Sequence, residues 1–230
     1  MPSDSTLAML KQPLSIRPDH VASRPTSLVV KQHTKTWTGG DFTISTRSDN
    51  SSALETLFSV DGEVASLSQR RHVRDASGLP LFEIRRKRMG VTWFVHLPGD
   101  SDNDDAKPIA TIAPRLHALK DKFDVHFKNA SGDGEDVMLE VRGQDIWKYR
   151  THVYHNGSLV MVAKLTDMVS VYLPIKRPKW ELEVAEGFDL SLAATIGVTL
   201  AALLYQSMMH SRSAPSPSSN EPGEGSSGKQ

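Results

Sequence analysis

No cysteine occurs anywhere in the 230 residues. That excludes a disulfide framework, cysteine-ligated zinc, iron–sulfur clusters and thiol catalysis, and it suits a reducing compartment. An excess of charge is missing too, since 27 basic side chains balance 27 acidic ones. Nucleic-acid binders usually carry a clear basic excess, so no nucleic-acid partner is expected. A local basic patch stays open. Apolar residues make up 38%, a little low for a globular protein, which points to polar tails around a smaller core. The first 25 residues lack a continuous apolar stretch, so no secretory leader is read and a cytoplasmic protein is expected. The N-x-S sequons at Asn50, Asn129 and Asn156 are then chance matches.

The ends set the domain limits. Residues 211–230 are rich in Ser, Pro and Gly, with Ala214 the one apolar side chain besides proline. Such a segment cannot bury enough surface to offset its ordering entropy. Disorder is expected over 1–24 and 209–230, with one domain over 25–208.

What is abundant is alternation. Phe123, Val125 and Phe127 alternate with Asp124, His126 and Lys128. Val137, Leu139 and Val141 alternate with Glu140 and Arg142, and Trp180, Leu182 and Val184 with Glu181 and Glu183. Trp93 and Val95 belong to a similar run from Val91 to Leu97. Period two places alternate side chains on opposite faces of a strand. Further strands are expected at 28–32, 42–46, 56–60, 70–75, 79–87, 109–113, 148–155, 158–165 and 170–173, about a dozen altogether. Asp61-Gly62 and Asn156-Gly157 suit tight hairpins that need positive φ, with Ser77-Gly78 a weaker signal. Many short strands with turns between them predict an antiparallel sandwich or barrel. A faint repeat is visible as well. Polar strand, turn and apolar strand recur around Gly78 and Gly157, 79 positions apart, which suggests two similar halves.

The segment from Phe188 to Tyr205 is apolar almost all round, unlike an amphipathic surface helix. Asp189 is its expected N-cap, after Gly187. One reading is a membrane span, but the run is short for that and no Lys or Arg follows before Arg212. The other is a helix inside a closed sheet. Ala193, Ala194, Gly197, Ala201 and Ala202 make it slim, and a dozen strands form a barrel wide enough to hold it.

Leu81-Phe82-Glu83-Ile84-Arg85-Arg86-Lys87 follows an Asp-x-x-Gly turn. Trp180-Glu181-Leu182-Glu183-Val184 is followed by Ala185-Glu186-Gly187-Phe188-Asp189 and the apolar helix. In order and spacing these features resemble the LURP-one-related family over about residues 25–208. Members of that family are similar to the C-terminal domain of tubby-like proteins and to phospholipid scramblases. The resemblance implies a mainly β fold: a twelve-stranded antiparallel closed barrel around a central hydrophobic C-terminal helix. Plant members are linked to defence responses, and tubby-like relatives bind membrane phosphoinositides. The acidic stretch 99–105 and the Ser/Pro/Gly tail depart from the family's pattern, as does the lack of acidic residues after the helix.

The chemistry-bearing motifs are few. There is no G-x-S-x-G elbow, P-loop or G-x-G-x-x-G, so no catalytic or cofactor site is expected. The run Asp100-Ser101-Asp102-Asn103-Asp104 begins like a calcium loop, but Asp105 stands where glycine is required and Thr111 where glutamate is. His152 and His155 are an odd number apart on a strand and make a poor metal pair, so no metal site is expected. The notable cluster is basic. Arg70, Arg71, Arg74, Arg85, Arg86, Lys87 and Arg88 lie within 19 residues whose acids are Asp75 and Glu83 alone. A hairpin of these two strands would gather the bases on one side of the sheet. Lys176, Arg177 and Lys179 read as a polar turn. The sequence predicts a non-enzymatic, monomeric barrel module, peripheral at membranes. Arg70, Arg71, Arg85, Arg86, Lys87 and Arg88 are its candidates for holding an anionic membrane lipid, a phosphoinositide for example. A protein partner is the other expected target. The alternative is a tail-anchored or scramblase-like protein inserting 190–204 into lipid.

Overall fold

The structure is a computed structural model. It describes residues 6–33, 41–47, 53–63, 69–87, 90–100, 106–115, 122–144, 149–166 and 179–213, with side chains of the final helix described as far as Leu203. Twelve strands follow one another around the chain. They are β1 (Thr26–Gln32), β2 (Phe42–Arg47), β3 (Leu54–Gly62), β4 (Arg71–Asp75), β5 (Pro80–Arg86) and β6 (Trp93–His96). The second six are β7 (Ala110–Arg115), β8 (Lys122–Lys128), β9 (Asp136–Gly143), β10 (Arg150–His155), β11 (Ser158–Leu165) and β12 (Lys179–Val184). Each pairs antiparallel with its sequence neighbour, and β1 pairs with β12 from Thr26↔Val184 to Lys31↔Lys179, closing a barrel. The helix α1 (Leu190–Ser213) follows β12.

The period-two expectation holds. On β9 Val137, Leu139 and Val141 are buried while Asp136 and Met138 are exposed. On β12 Trp180, Leu182 and Val184 are buried between half-buried Lys179, Glu181 and Glu183. Turn chemistry holds in part. Asn156 and Gly157 have φ of 48° and 78°, the left-handed pair that a two-residue hairpin needs between β10 and β11. Asp61-Gly62 was expected to turn, but both residues extend β3, opposite His72 and Arg71. Gly62 N–H donates to Asp41 Oδ1 instead. Between β4 and β5, Asp75 Oδ1 accepts from the Ser77 and Leu79 backbone amides and folds the chain over Gly78. The two hairpins of the repeat each carry a register shift, between Val73 and Arg74 and between Val153 and Tyr154, as the β2–β3 pair does between Ile44 and Ser45. They stand six strands apart in the ring. The strand expected at 170–173 lies outside the described residues.

The barrel needs a filling, and α1 supplies it. Leu192, Ala193, Ala194, Ile196, Val198 and Ala201 are all at most 1% exposed. Thr195 and Thr199 hydroxyls donate to the carbonyls of Ser191 and Thr195, each at 2.9 Å, so these polar groups enter the lumen already satisfied. Gly197 faces β1 and β12. A Cβ there would lie 2.8 Å from Leu182 Cδ1 and 3.3 Å from Val30 Cγ2, so a bare backbone is what this close approach requires. The helix runs to Ser213, which corrects the disorder expected from 209; residues 214–230 lie outside the described part.

Disorder over 1–24 is likewise corrected for residues 6–24. This segment lies across the barrel end where α1 begins, with Leu14, Ile16 and Ala22 buried. Leu14 bridges to Phe188 and Val21 to Asp189. Residues 1–5 lie outside the described part.

Candidate functional site

The basic hairpin is β4–β5. Its register sets Arg71 opposite Ile84, His72 opposite Glu83 and Val73 opposite Phe82. Val73, Phe82 and Ile84 face the lumen. By the same parity Arg70, His72, Glu83, Arg85 and Lys87 face outward. The two sides of this sheet then differ sharply in what surrounds their charges.

On the outer side, Arg70 Nε lies 3.6 Å from Glu63 Oε2. His72 Nδ1 lies 3.5 Å from Glu83 Oε1, which also accepts from the Gly99 amide. Arg85 Nε donates to His96 Nε2 at 3.2 Å. That bond requires an unprotonated Nε2, so His96 is the neutral Nδ1–H tautomer. Burial, and then the Arg85 charge, hold its pKa below the ordinary histidine value. Lys87 is exposed just past the end of β5, where its amide donates to the Thr92 carbonyl at 2.8 Å. Arg74 is set apart, 3.4 Å from Asp61.

Arg86 sits at the rim, opposite Trp93, with Nε donating to the Gly90 carbonyl at 2.9 Å. Arg88 lies outside the described residues, as do Lys176 and Arg177. Lys179 opens β12 opposite Lys31. Arg71 corrects the expectation that all these bases gather on one side. It shares the inner face with Val73 and is 6% exposed. The structure therefore brings Arg70, Arg85 and Lys87 onto the outer face, leaves Arg86 at the edge, and sends Arg71 into the lumen.

The opposite end is built differently. Asp189 is 0% exposed and caps α1. Its Oδ1 accepts from the Ser191 amide at 2.7 Å, the Ser191 hydroxyl at 2.6 Å and the Leu192 amide at 3.2 Å. Its Oδ2 accepts from the amides of Ile16 at 2.9 Å and Arg17 at 2.8 Å. Burial pushes its pKa up, while these bonds pull it down. The cap was legible in sequence, but the tie to the N-terminal strap was not. Asn129 makes the second tie. Its Oδ1 accepts from the Ser15 amide and its Nδ2 donates to the Pro13 carbonyl, both at 3.0 Å. Asn129 is fully buried, so its sequon is closed to modification in the folded protein. A cavity of about 370 Å³ lies beside the strap, lined by residues including Ala22, Arg24, Arg47, Glu55, Leu57 and Leu190. Among the described residues, no group of three or more His, Cys, Asp or Glu could hold a metal ion. Asp100 is described, whereas 101–105 of the calcium-like run are not.

A closed twelve-stranded barrel around a C-terminal helix was the fold implied by the resemblance, and comparison with known proteins supports it. The profile of the LURP-one-related family matches residues 26–201. The chain belongs to the LURP-one-related family. It is similar to Protein LURP-one-related 9 of Arabidopsis thaliana, 35% identical over 72 residues, which make up 30% of this chain. That match spans 36% of the relative's length, about a third. It is similar in fold to an X-ray structure of an Arabidopsis thaliana protein, with a TM-score of 0.54 at 21% identity, covering 82% of this chain and 96% of the other. The strap lies outside the residues that the family profile matches. Among the described residues no helix is long and apolar enough to cross a membrane.

Proposed function

We propose that this LURP-one-related barrel is a non-enzymatic binding module that docks on an anionic membrane surface through the outer face of β4–β5. The observation that carries this reading is the convergence of Arg70, Arg85 and Lys87 on one face, with Arg86 at the adjoining rim. Fold alone does not assign function, so the reading rests on this site. Each base close to an anionic leaflet contributes about 1 kcal/mol, so a few such bases give weak, reversible and salt-sensitive binding. Nearby acids, Glu63 and Glu83, temper the patch.

Flotation with vesicles of neutral lipid, with and without phosphatidylserine or phosphoinositides, tests this. The full chain is expected to float with the anionic vesicles alone. Changing Arg85 and Lys87 together to Glu should weaken binding by at least about 30-fold, the equivalent of about 2 kcal/mol for two bases. Equal flotation of wild type and double variant would overturn the assignment of this face. A second reading, insertion of 190–204 into lipid, finds no support in a helix whose residues from Ser191 to Ala202 are enclosed by strands.

A further inference from the structure

Arg71 is a cation inside a barrel. It is 6% exposed, and its guanidinium carbon lies 4.9 Å from the centre of the Trp93 ring. A guanidinium has five N–H donors. Here one terminal nitrogen donates to the Gln69 carbonyl, at 3.3 Å, while Nε has no acceptor. Gln69 adopts φ of 51°, a conformation uncommon for a residue other than glycine. No carboxylate of the described residues pairs with Arg71. Trp93 is fully buried, and its indole Nε1 also lacks an acceptor. Two unused donors thus belong to adjoining side chains on one wall of the barrel. Burial lowers the Arg71 pKa to about 10, which leaves it charged at neutral pH. A buried charge without a counter-ion is unfavourable, and an aromatic face offsets only part of that.

We propose that the inner wall formed by Arg71 and Trp93 binds a small oxyanion, a carboxylate or phosphate group that accepts from the guanidinium and the indole. The planar fork of arginine matches both groups, and Arg86 on the next strand adds positive potential at the same rim. This site is independent of the outer face, because Arg85 and Lys87 lie on the other side of the sheet.

The test is thermal unfolding of the full chain with sodium phosphate or sodium acetate, titrated against sodium chloride at constant ionic strength. Phosphate and acetate compared in this way show which oxyanion the site prefers. A saturable rise in Tm is expected, about 3–6 °C at a tenfold excess over Kd. The Trp93 indole signal in ¹H–¹⁵N spectra should shift with the same concentration dependence. Arg71→Met should abolish both responses, and Arg71→Lys, which keeps the charge but loses the fork, should weaken them at least tenfold. Lys87→Glu should retain them. No response beyond chloride in wild type, an unmoved Trp93 indole signal, or an undiminished response in Arg71→Lys would each overturn the proposal. The spectra use wild type, so this test stands even if the Met variant does not fold.

Discussion

The two ends of the barrel solve opposite problems. Where α1 begins, Asp189 and Asn129 are buried with their hydrogen bonds made within the protein, and His20 Nε2 in the strap is the exception among the described residues there. Asp189 accepts five bonds and Asn129 ties Pro13 and Ser15 to the loop after β8. At the other end of β4–β6, charged groups gather at the rim, and Arg71 Nε and Trp93 Nε1 are buried donors without an acceptor. A buried polar group with every bond made fixes a unique arrangement, whereas an unmade bond is an opening for a ligand. The first end is therefore read as construction and the second as function.

Asp189→Ala should produce the largest effect. It removes the helix cap and strands the buried amide of Ile16 and the part-buried amide of Arg17. A lost cap costs about 1 kcal/mol and each orphaned buried donor about 1–3 kcal/mol, so a loss of about 3–5 kcal/mol is expected in urea unfolding. A loss below about 1 kcal/mol would show that the strap is not coupled to the barrel. Asn129→Ala should cost less, about 2 kcal/mol, by orphaning the Ser15 amide and the Pro13 carbonyl. Hydrogen exchange locates that loss: protection of the Ser15 amide should fall while amides in β12 and α1 keep theirs. Both residues hold one segment, so the double variant should lose less than the two single losses added together.

Why the strap escaped sequence reading is instructive. Leu14, Ile16 and Ala22 are buried without any repeating period, so no pattern marks them. The strap's partners are far along the chain, 114 residues away for Ser15 and 173 for Ile16. The strands were legible because a half-buried sheet imposes period two locally, as Phe123, Val125 and Phe127 show. The helix was legible because an enclosed lumen demands apolar or small residues on all sides. Asp61-Gly62 misled because local turn preference gave way to pairing with β4. Arg71 lies between these cases. Parity with Val73 already placed it inside, but its charge drew it into the outer cluster. Charge is a prior on exposure, and alternation is geometry; at Arg71 the geometry prevails.

The smallest expected stability effect sharpens the contrast from the functional side. Lys87 is exposed beyond the end of β5, so Lys87→Glu should change unfolding free energy by no more than about 0.5 kcal/mol. Arg85→Glu removes the donor to His96 Nε2 and places a carboxylate beside a buried ring. The lowered His96 pKa should therefore rise, since the Arg85 charge that disfavours protonation is gone. In wild type, a folded pKa below the unfolded value means that stability is full above about pH 6.5 and falls as the solution is acidified through the folded pKa. Arg85→Glu should flatten that fall, measured by urea unfolding from pH 7.5 to pH 5. An unchanged pH slope would mean that Arg85 does not set the charge state of His96. A flattened slope alongside lost vesicle binding would place one arginine in both the patch and the titration, a link absent from the strap end of the barrel.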